Sequence, residues 1–198
     1  MGTRDEILDA AADLLRTQGY AKATTKAIAQ SAGYSEAALY KHFEDKSTIL
    51  LAVISERLPE LGGTLQALAT SVGSSTVRAN LTRLIRTGFD FFIEGFPILV
   101  SLFSSQSLLT THRERMGELD AGPHKAEEGL VRYLRAEQRI GRVRRGADLE
   151  AAATLVFGAC FQQGFTASFT GQRPTSAQLD AQAARLAKTM YEALRPAT

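Results

Sequence analysis

The segment at residues 24–46, TTKAIAQSAGYSEAALYKHFEDK, constrains the fold more tightly than any other part of the chain. Ile28, Ala29 and Ala32 give a short helix over 25–32 one apolar face, small enough for close packing. Gly33 ends that helix, because glycine enters the left-handed backbone region without steric cost. Gly33, Tyr34 and Ser35 then make a turn of the length that joins two crossed helices. Ser35 is a natural N-cap for a second helix over 36–42, its hydroxyl accepting from a free amide of the first turn. In that helix Leu39 points to the core with Phe43, while Glu36, Ala37, Tyr40 and Lys41 share the outward face. Two short helices so joined, with a phenol, an ammonium and an imidazole on one rim, have the layout of a helix-turn-helix that enters a major groove.

The residue types suit that task. Tyr40, Lys41 and Lys46 carry donors for phosphate oxygens, and the free amides at the helix starts near Thr25 and Lys46 offer further anion sites. Phosphate contacts position a protein and leave the base sequence unread. Base choice falls to Glu36, which accepts from a cytosine amino group, to Ala37, which touches a thymine methyl, and to Lys41 at guanine. The same spacing also fits two ordinary packed helices with Tyr40, Lys41 and His42 as a solvated face, and on spacing alone both readings stand.

Residues 3–50 closely resemble the N-terminal domain of the TetR family of bacterial transcriptional regulators. The resemblance is carried in register by Ile7, Ala10, Ala11, Leu14, Gly19, Tyr20, Thr24, Thr25, Ile28, Ala29, Ala32, Gly33, Ser35, Leu39, Tyr40, His42, Phe43, Lys46 and Leu50. It implies a three-helix DNA-binding domain, a helical ligand-binding and dimerisation domain behind it, and repression relieved by a small molecule. By position, the implied DNA contacts are Thr25, Lys26, Ser35, Glu36, Ala37, Tyr40, Lys41, His42 and Lys46. One departure is Ala27, where many members carry an acidic residue before the Ile-Ala pair. With Thr24 as N-cap, its capping-box partner is missing, and a weaker cap is expected.

Bulk properties narrow the alternatives. At 198 residues and 44% hydrophobic, the chain has ample apolar material for a core, in one domain or in a small and a medium one. The longest apolar runs, 50–54 and 96–103, are far shorter than a membrane span, and the N-terminus lacks the apolar core of a secretion signal. A cytoplasmic protein with no membrane partner is expected. One cysteine, Cys160, excludes an intrachain disulfide and reads as a small buried apolar residue. With three histidines and no G-x-S-x-G, H-E-x-x-H, CxxC or glycine-rich phosphate loop, no catalytic constellation is recognisable. The chain is therefore expected not to be an enzyme, with no metal site and no resident cofactor. Charge argues the other way from the motif: residues 1–47 hold six lysines and arginines against seven acids, a net charge of −1. A DNA-binding domain is usually basic. The acids Asp5, Glu6, Asp9 and Asp13 sit on the first helix and the bases cluster at the motif, so a positive face survives locally, with modest and salt-dependent affinity.

The rest of the chain reads as all-α, about nine helices in total, with a helix-turn-helix domain at 1–47 and an effector-binding and dimerisation domain at 48–198. Thr3 and Glu6 form an S/T-x-x-E capping box that starts the first helix, and Gly19 closes it. A fourth helix begins near Asp45 and Lys46, with Pro59, Gly62 and Gly63 marking a kink or an end. A serine-rich loop at 70–76 precedes a helix over 77–95, which Pro97 breaks. Further helices are expected over 98–109, 123–139, 148–170 and 176–194. In the last, Leu179, Ala183, Leu186, Met190 and Ala193 step by four and three, the seam of side-by-side helices, and Leu179, Ala183, Leu186 and Met190 are expected in the dimer interface. Phe157, Phe161, Phe165 and Phe169 repeat every four before it; such stripes are usually core, and the resemblance divides this one between dimer interface, with Phe165, and pocket wall, with Phe161. Phe89, Phe92, Phe96 and Phe103 are candidates to line an apolar effector cavity, or plain core. His112 and His124 read as surface or capping groups. The arginines at 132, 135, 139, 142, 144 and 145 suit an acidic ligand or a solvated helix end.

The reading that follows is a homodimeric repressor of a palindromic double-stranded DNA operator, released by a small, lipophilic effector. Two heads would enter successive major grooves about 34–36 Å apart. Two other classes remain: a helical protein-interaction module with a vestigial head, and an enzyme whose site only folding assembles.

Overall fold

The computed structural model describes residues 2–118, 120 and 122–196. The first helix, α1 (Thr3–Lys22), buries Ile7, Leu8, Ala11, Ala12 and Leu15 on one stripe. Its N-cap is Gly2, with no side-chain cap bond, and Thr3 is already helical. The expected Thr3–Glu6 capping box is therefore absent; the Glu6 carboxylate instead accepts from the Tyr34 hydroxyl, a tertiary bond that outcompetes the local one. Gly19, at φ +76°, breaks the helix before its last three residues.

Next come α2 (Thr25–Ser31) and α3 (Glu36–Leu39). Thr24 caps α2, its hydroxyl accepting from the Ala27 amide at 3.1 Å; the methyl of Ala27 has no acceptor to return the bond, so only half of the box exists. Gly33 takes φ +80°, and the Tyr34 amide reaches back to the Ala29 carbonyl at 2.9 Å, closing α2 by the six-to-one bond that such glycines permit. Ser35 caps α3 by accepting from the Ala38 amide. The α-helix is shorter than the expected 36–42: at Lys41 and His42 the amides bond three residues back, to Ala38 and Leu39, so the chain tightens into turns. Asp45 then caps α4 (Lys46–Glu56), and α4 packs on α1 through Ile49, Leu50 and Val53.

Beyond α4 lie α5 (Leu61–Thr70), α6 (Val77–Phe103), α7 (Gln106–Glu118), α8 (Pro123–Arg139), α9 (Leu149–Thr170) and α10 (Ser176–Leu194). Ten helices and no strand stand among the described residues. Two expectations are corrected. α5 was hidden by Gly62 and Gly63, yet Leu61, Leu65 and Leu68 carry a helical stripe, and Leu61 and Leu68 are buried, which outweighs the poor propensity of two glycines in the first turn. Pro97 does not break α6. A proline inside a helix costs about 3 kcal/mol, and burial of Ile93, Ile98 and Leu102 around it exceeds that cost. The break falls at Ser104 and Ser105 instead.

The chain forms two compact units: residues 1–58 with 94–119, and residues 59–93 with 120–198. The expected boundary after residue 47 falls inside the first of them. Its core joins Ile7, Leu15, Ile28, Leu39, Phe43 and Leu50 to Ile98, Leu102 and Leu108. In the second unit, Leu84, Phe89, Leu134, Phe157 and Leu179 belong to one continuous core.

Candidate nucleic-acid interface

The reading head is held from beneath by Leu39 and Phe43, 0% and 3% exposed. With the inner face anchored, Ala37, Tyr40, Lys41 and His42 are left exposed on the outer one. Lys26 is exposed on α2. The side chains of Lys26, Lys41 and His42 make no hydrogen bond or ion pair among the described residues, so they are available to phosphate or base.

Three predicted contact residues are instead bonded to one another. The Thr25 hydroxyl donates to Glu36 Oε1 at 2.5 Å, and the Tyr40 hydroxyl reaches the same Thr25 oxygen at 3.4 Å. This ties the start of α2 to the start of α3 and aims the Glu36 carboxylate. An ionised carboxylate offers about four acceptor directions, so one bond from Thr25 leaves capacity for a base. Ser35 is exposed, with its hydroxyl used in the cap. Lys46 is held differently: its ammonium lies 3.9 Å from the Tyr20 ring centroid and donates to the Tyr20 carbonyl. Burial lowers its pKa. Lys46 thus closes the end of α1 onto the start of α4.

The net charge of the head stays at −1, but most acids of α1 are paired. Asp5 and Asp9 both receive Arg57, at 2.9 and 2.7 Å, and Asp13 receives Arg16 at 3.1 Å. Glu56 receives Arg4 at 2.6 Å. The hydrogen bond from Arg57 holds the Asp5 carboxyl below the usual range, and the one from Arg4 does the same for Glu56. Three of the four carboxylates of α1 are thereby paired with arginines, while the side chains of Lys26 and Lys41 have no partner among the described residues. Arg57, Tyr34 and Tyr20, which sequence reasoning passed over, are supporting residues of this head. Arg57 lies outside the expected 1–47 domain, and Tyr34 sits in the turn, where its phenol had no readable partner.

The other candidates are more scattered. Phe89 is fully buried, Phe96 is half-buried and Phe103 is 74% exposed. Phe92 stacks edge-on against Phe91 and Phe161, with centroids 5.1 and 5.7 Å apart. On α10, Leu179 and Ala183 are buried in the subunit's own core, with Leu186 and Met190 packed partly buried against it. A step of four and three reports that a helix lies beside another, and here that neighbour is within the same chain. The exposed apolar row is on α9, at Leu155, Phe161, Phe165 and Phe169. Cys160 is buried, and burial pushes its thiol pKa up to about 12. Among the described residues no single helix is long and apolar enough to cross a membrane.

A capped, glycine-turned helix pair with free cations on its rim, joined to an α-helical unit, defines a helix-turn-helix regulator. The comparisons with known proteins specify which. Residues 7–53 match the profile of bacterial regulatory proteins of the tetR family, and residues 101–194 match the C-terminal domain of AefR-like transcriptional repressors. The chain belongs to the TetR family and is a DNA-binding transcriptional repressor. It is 28% identical over 151 residues to the HTH-type transcriptional repressor KstR2 of Rhodococcus jostii, covering 76% of this chain and 72% of that one. Its fold is similar to a putative TetR-family transcriptional regulator from Mesorhizobium loti, with a TM-score of 0.74, 20% identity and coverage of 98% and 97%. It is similar also to the transcriptional regulator FadR of Bacillus subtilis in complex with stearoyl-CoA, with a TM-score of 0.67, 20% identity and coverage of 92% and 96%.

Proposed function

We propose that this repressor works in the cytoplasm as a homodimer on a palindromic operator, and that a small lipophilic effector releases it. The observation that carries the DNA reading is the outward rim of the head: Lys26, Lys41 and His42 are exposed and unbonded beside the Thr25–Glu36–Tyr40 network. Lysines there meet phosphates, and the aimed Glu36 carboxylate with the Ala37 methyl selects bases. Dimerisation is supported by the α9 row, where Leu155 is 64% and Phe169 80% exposed, an apolar stripe that association would cover. A lipophilic effector is supported by the aromatic cluster of Phe91, Phe92 and Phe161 and by the stearoyl-CoA bound to the similar Bacillus subtilis regulator. The effector acts by binding better to the form whose heads do not match the operator spacing.

The test is selection of bound duplexes from random DNA by the full-length protein, followed by titration with fatty acyl-CoA esters. A palindromic site, a dimer by analytical ultracentrifugation and release on titration are expected. An asymmetric site bound by a monomer, or unchanged binding by Tyr40→Ala, overturns the reading.

A further inference from the structure

In the second unit, α6 and α10 border an open groove of about 860 Å³. Its lining includes Ala79 and Thr82 on α6 and Ala184 on α10, and such short side chains leave room that larger ones would fill. Long cationic side chains surround them: Arg78, Arg83 and Arg86 from one helix, Arg185 and Lys188 from the other. The lining includes one acid, Asp180, and it is taken by Arg86 at 2.7 Å; Arg86 also pairs with Asp90. Among the described residues Arg83 donates only to the neutral amide oxygen of Asn80, at 3.1 Å. Arg78, Arg185 and Lys188 have no side-chain hydrogen bond or ion pair among the described residues. Elsewhere in the same unit, Arg132, Arg135, Arg142 and Arg195 each pair with a carboxylate. Three uncompensated cations converging on one groove repel one another, and an anion removes that repulsion.

The chemistry narrows the anion. Guanidinium forks match phosphate oxygens two at a time, and the Lys188 ammonium adds a mobile point charge. Charges supplied from two helices on both banks suit several phosphates rather than one. The groove is also of the size that small-molecule sites have, about 300–1,000 Å³, and its short apolar side chains accept a flat ring that an arginine plane can cover. We infer that this groove binds a nucleoside polyphosphate, its phosphates on Arg78, Arg185 and Lys188 and its base against Ala79 and Ala184. The site lies on different elements from the DNA-reading head, and the inference does not depend on the operator or the lipophilic effector.

Isothermal titration of the full-length protein with ATP, and separately with tripolyphosphate at matched ionic strength, tests it. Saturable ATP binding is expected, several-fold tighter than tripolyphosphate. The Arg185→Glu/Lys188→Glu double variant weakens ATP at least tenfold, while Arg139→Glu/Arg145→Glu, an equal charge reversal at exposed cations outside the groove, stays within threefold. Arg78→Ala, on the other bank and read alongside a thermal melt, also weakens ATP and guards against misfolding of the double variant. Tyr40→Ala binds ATP as the parent does. Absence of saturable binding, equal losses in the two double variants, tripolyphosphate binding as tightly as ATP, or loss of ATP binding in Tyr40→Ala overturns the inference.

Discussion

Replacing Gly164 by alanine tests how tightly α6 and α9 cross, and with it the aromatic cluster proposed to meet the effector. A Cβ at position 164 would lie 2.5 Å from the Phe92 carbonyl oxygen, 2.7 Å from its carbon and 2.8 Å from Phe92 Cβ. Two of these are backbone atoms of a helix and cannot swing aside. Restoring an ordinary contact requires the helices to separate locally by about 0.9 Å, which surrenders dispersion contacts along the crossing. Overpacking of this kind costs about 1–3 kcal/mol, and a backbone clash belongs at the upper end. Alanine regains about 1 kcal/mol of helix propensity over glycine, leaving a net loss of about 2 kcal/mol. For a chain of this size that is a fall in Tm of roughly 4–8 °C. Gly62→Ala in α5 is the control: nothing lies within 4 Å of its Cβ, so stability holds or rises slightly. Thermal unfolding followed by circular dichroism measures both. A Gly164→Ala variant as stable as the parent refutes the close crossing, and equal losses in both variants refute the steric account.

Three further outcomes follow from the head. Lys41→Ala weakens DNA binding about equally across sequences and lowers the slope of log affinity against log salt by about 1, measured by fluorescence anisotropy between low and moderate salt; loss confined to one base position would reassign Lys41 as a base reader. Tyr34→Phe leaves the Glu6 carboxylate without its phenol and destabilises the protein by about 1–2 kcal/mol in denaturant unfolding. Arg57→Gln lowers stability at neutral pH. Asp5 and Glu56 have folded pKa values below their unfolded ones, so as the pH falls the unfolded chain takes up protons first. The stabilisation they contribute is complete above about pH 5 and is lost as pH falls through the depressed values. Melts from pH 7 to pH 3 therefore show the difference between parent and variant shrinking in acid; a constant or widening difference refutes the clasp.

Most helix ends and the turn were legible because they depend on neighbours in sequence. Gly33, Ser35 and Asp45 each stand where a terminus needs them, and each takes the backbone or capping role its chemistry predicts. The helical periods of α9 and α10 were likewise visible. Where local signals conflicted with burial, burial prevailed: Pro97 sits inside α6, α5 begins on two glycines, and Thr3 lost its partner Glu6 to Tyr34.

The outward rim of α3 could be read from residues 24–46 because a cap, a glycine and an apolar stripe determine which side of a short helix faces away from the core. Pairings across long separations could not be read. That Arg57 neutralises Asp5 and Asp9, that Lys46 rests on Tyr20, and that Leu179 and Ala183 face their own subunit depend on which distant surfaces meet. Local propensity acts within a few residues of the chain, whereas ion pairing and burial act within a few ångströms of space, and only the folded chain makes those two neighbourhoods known together.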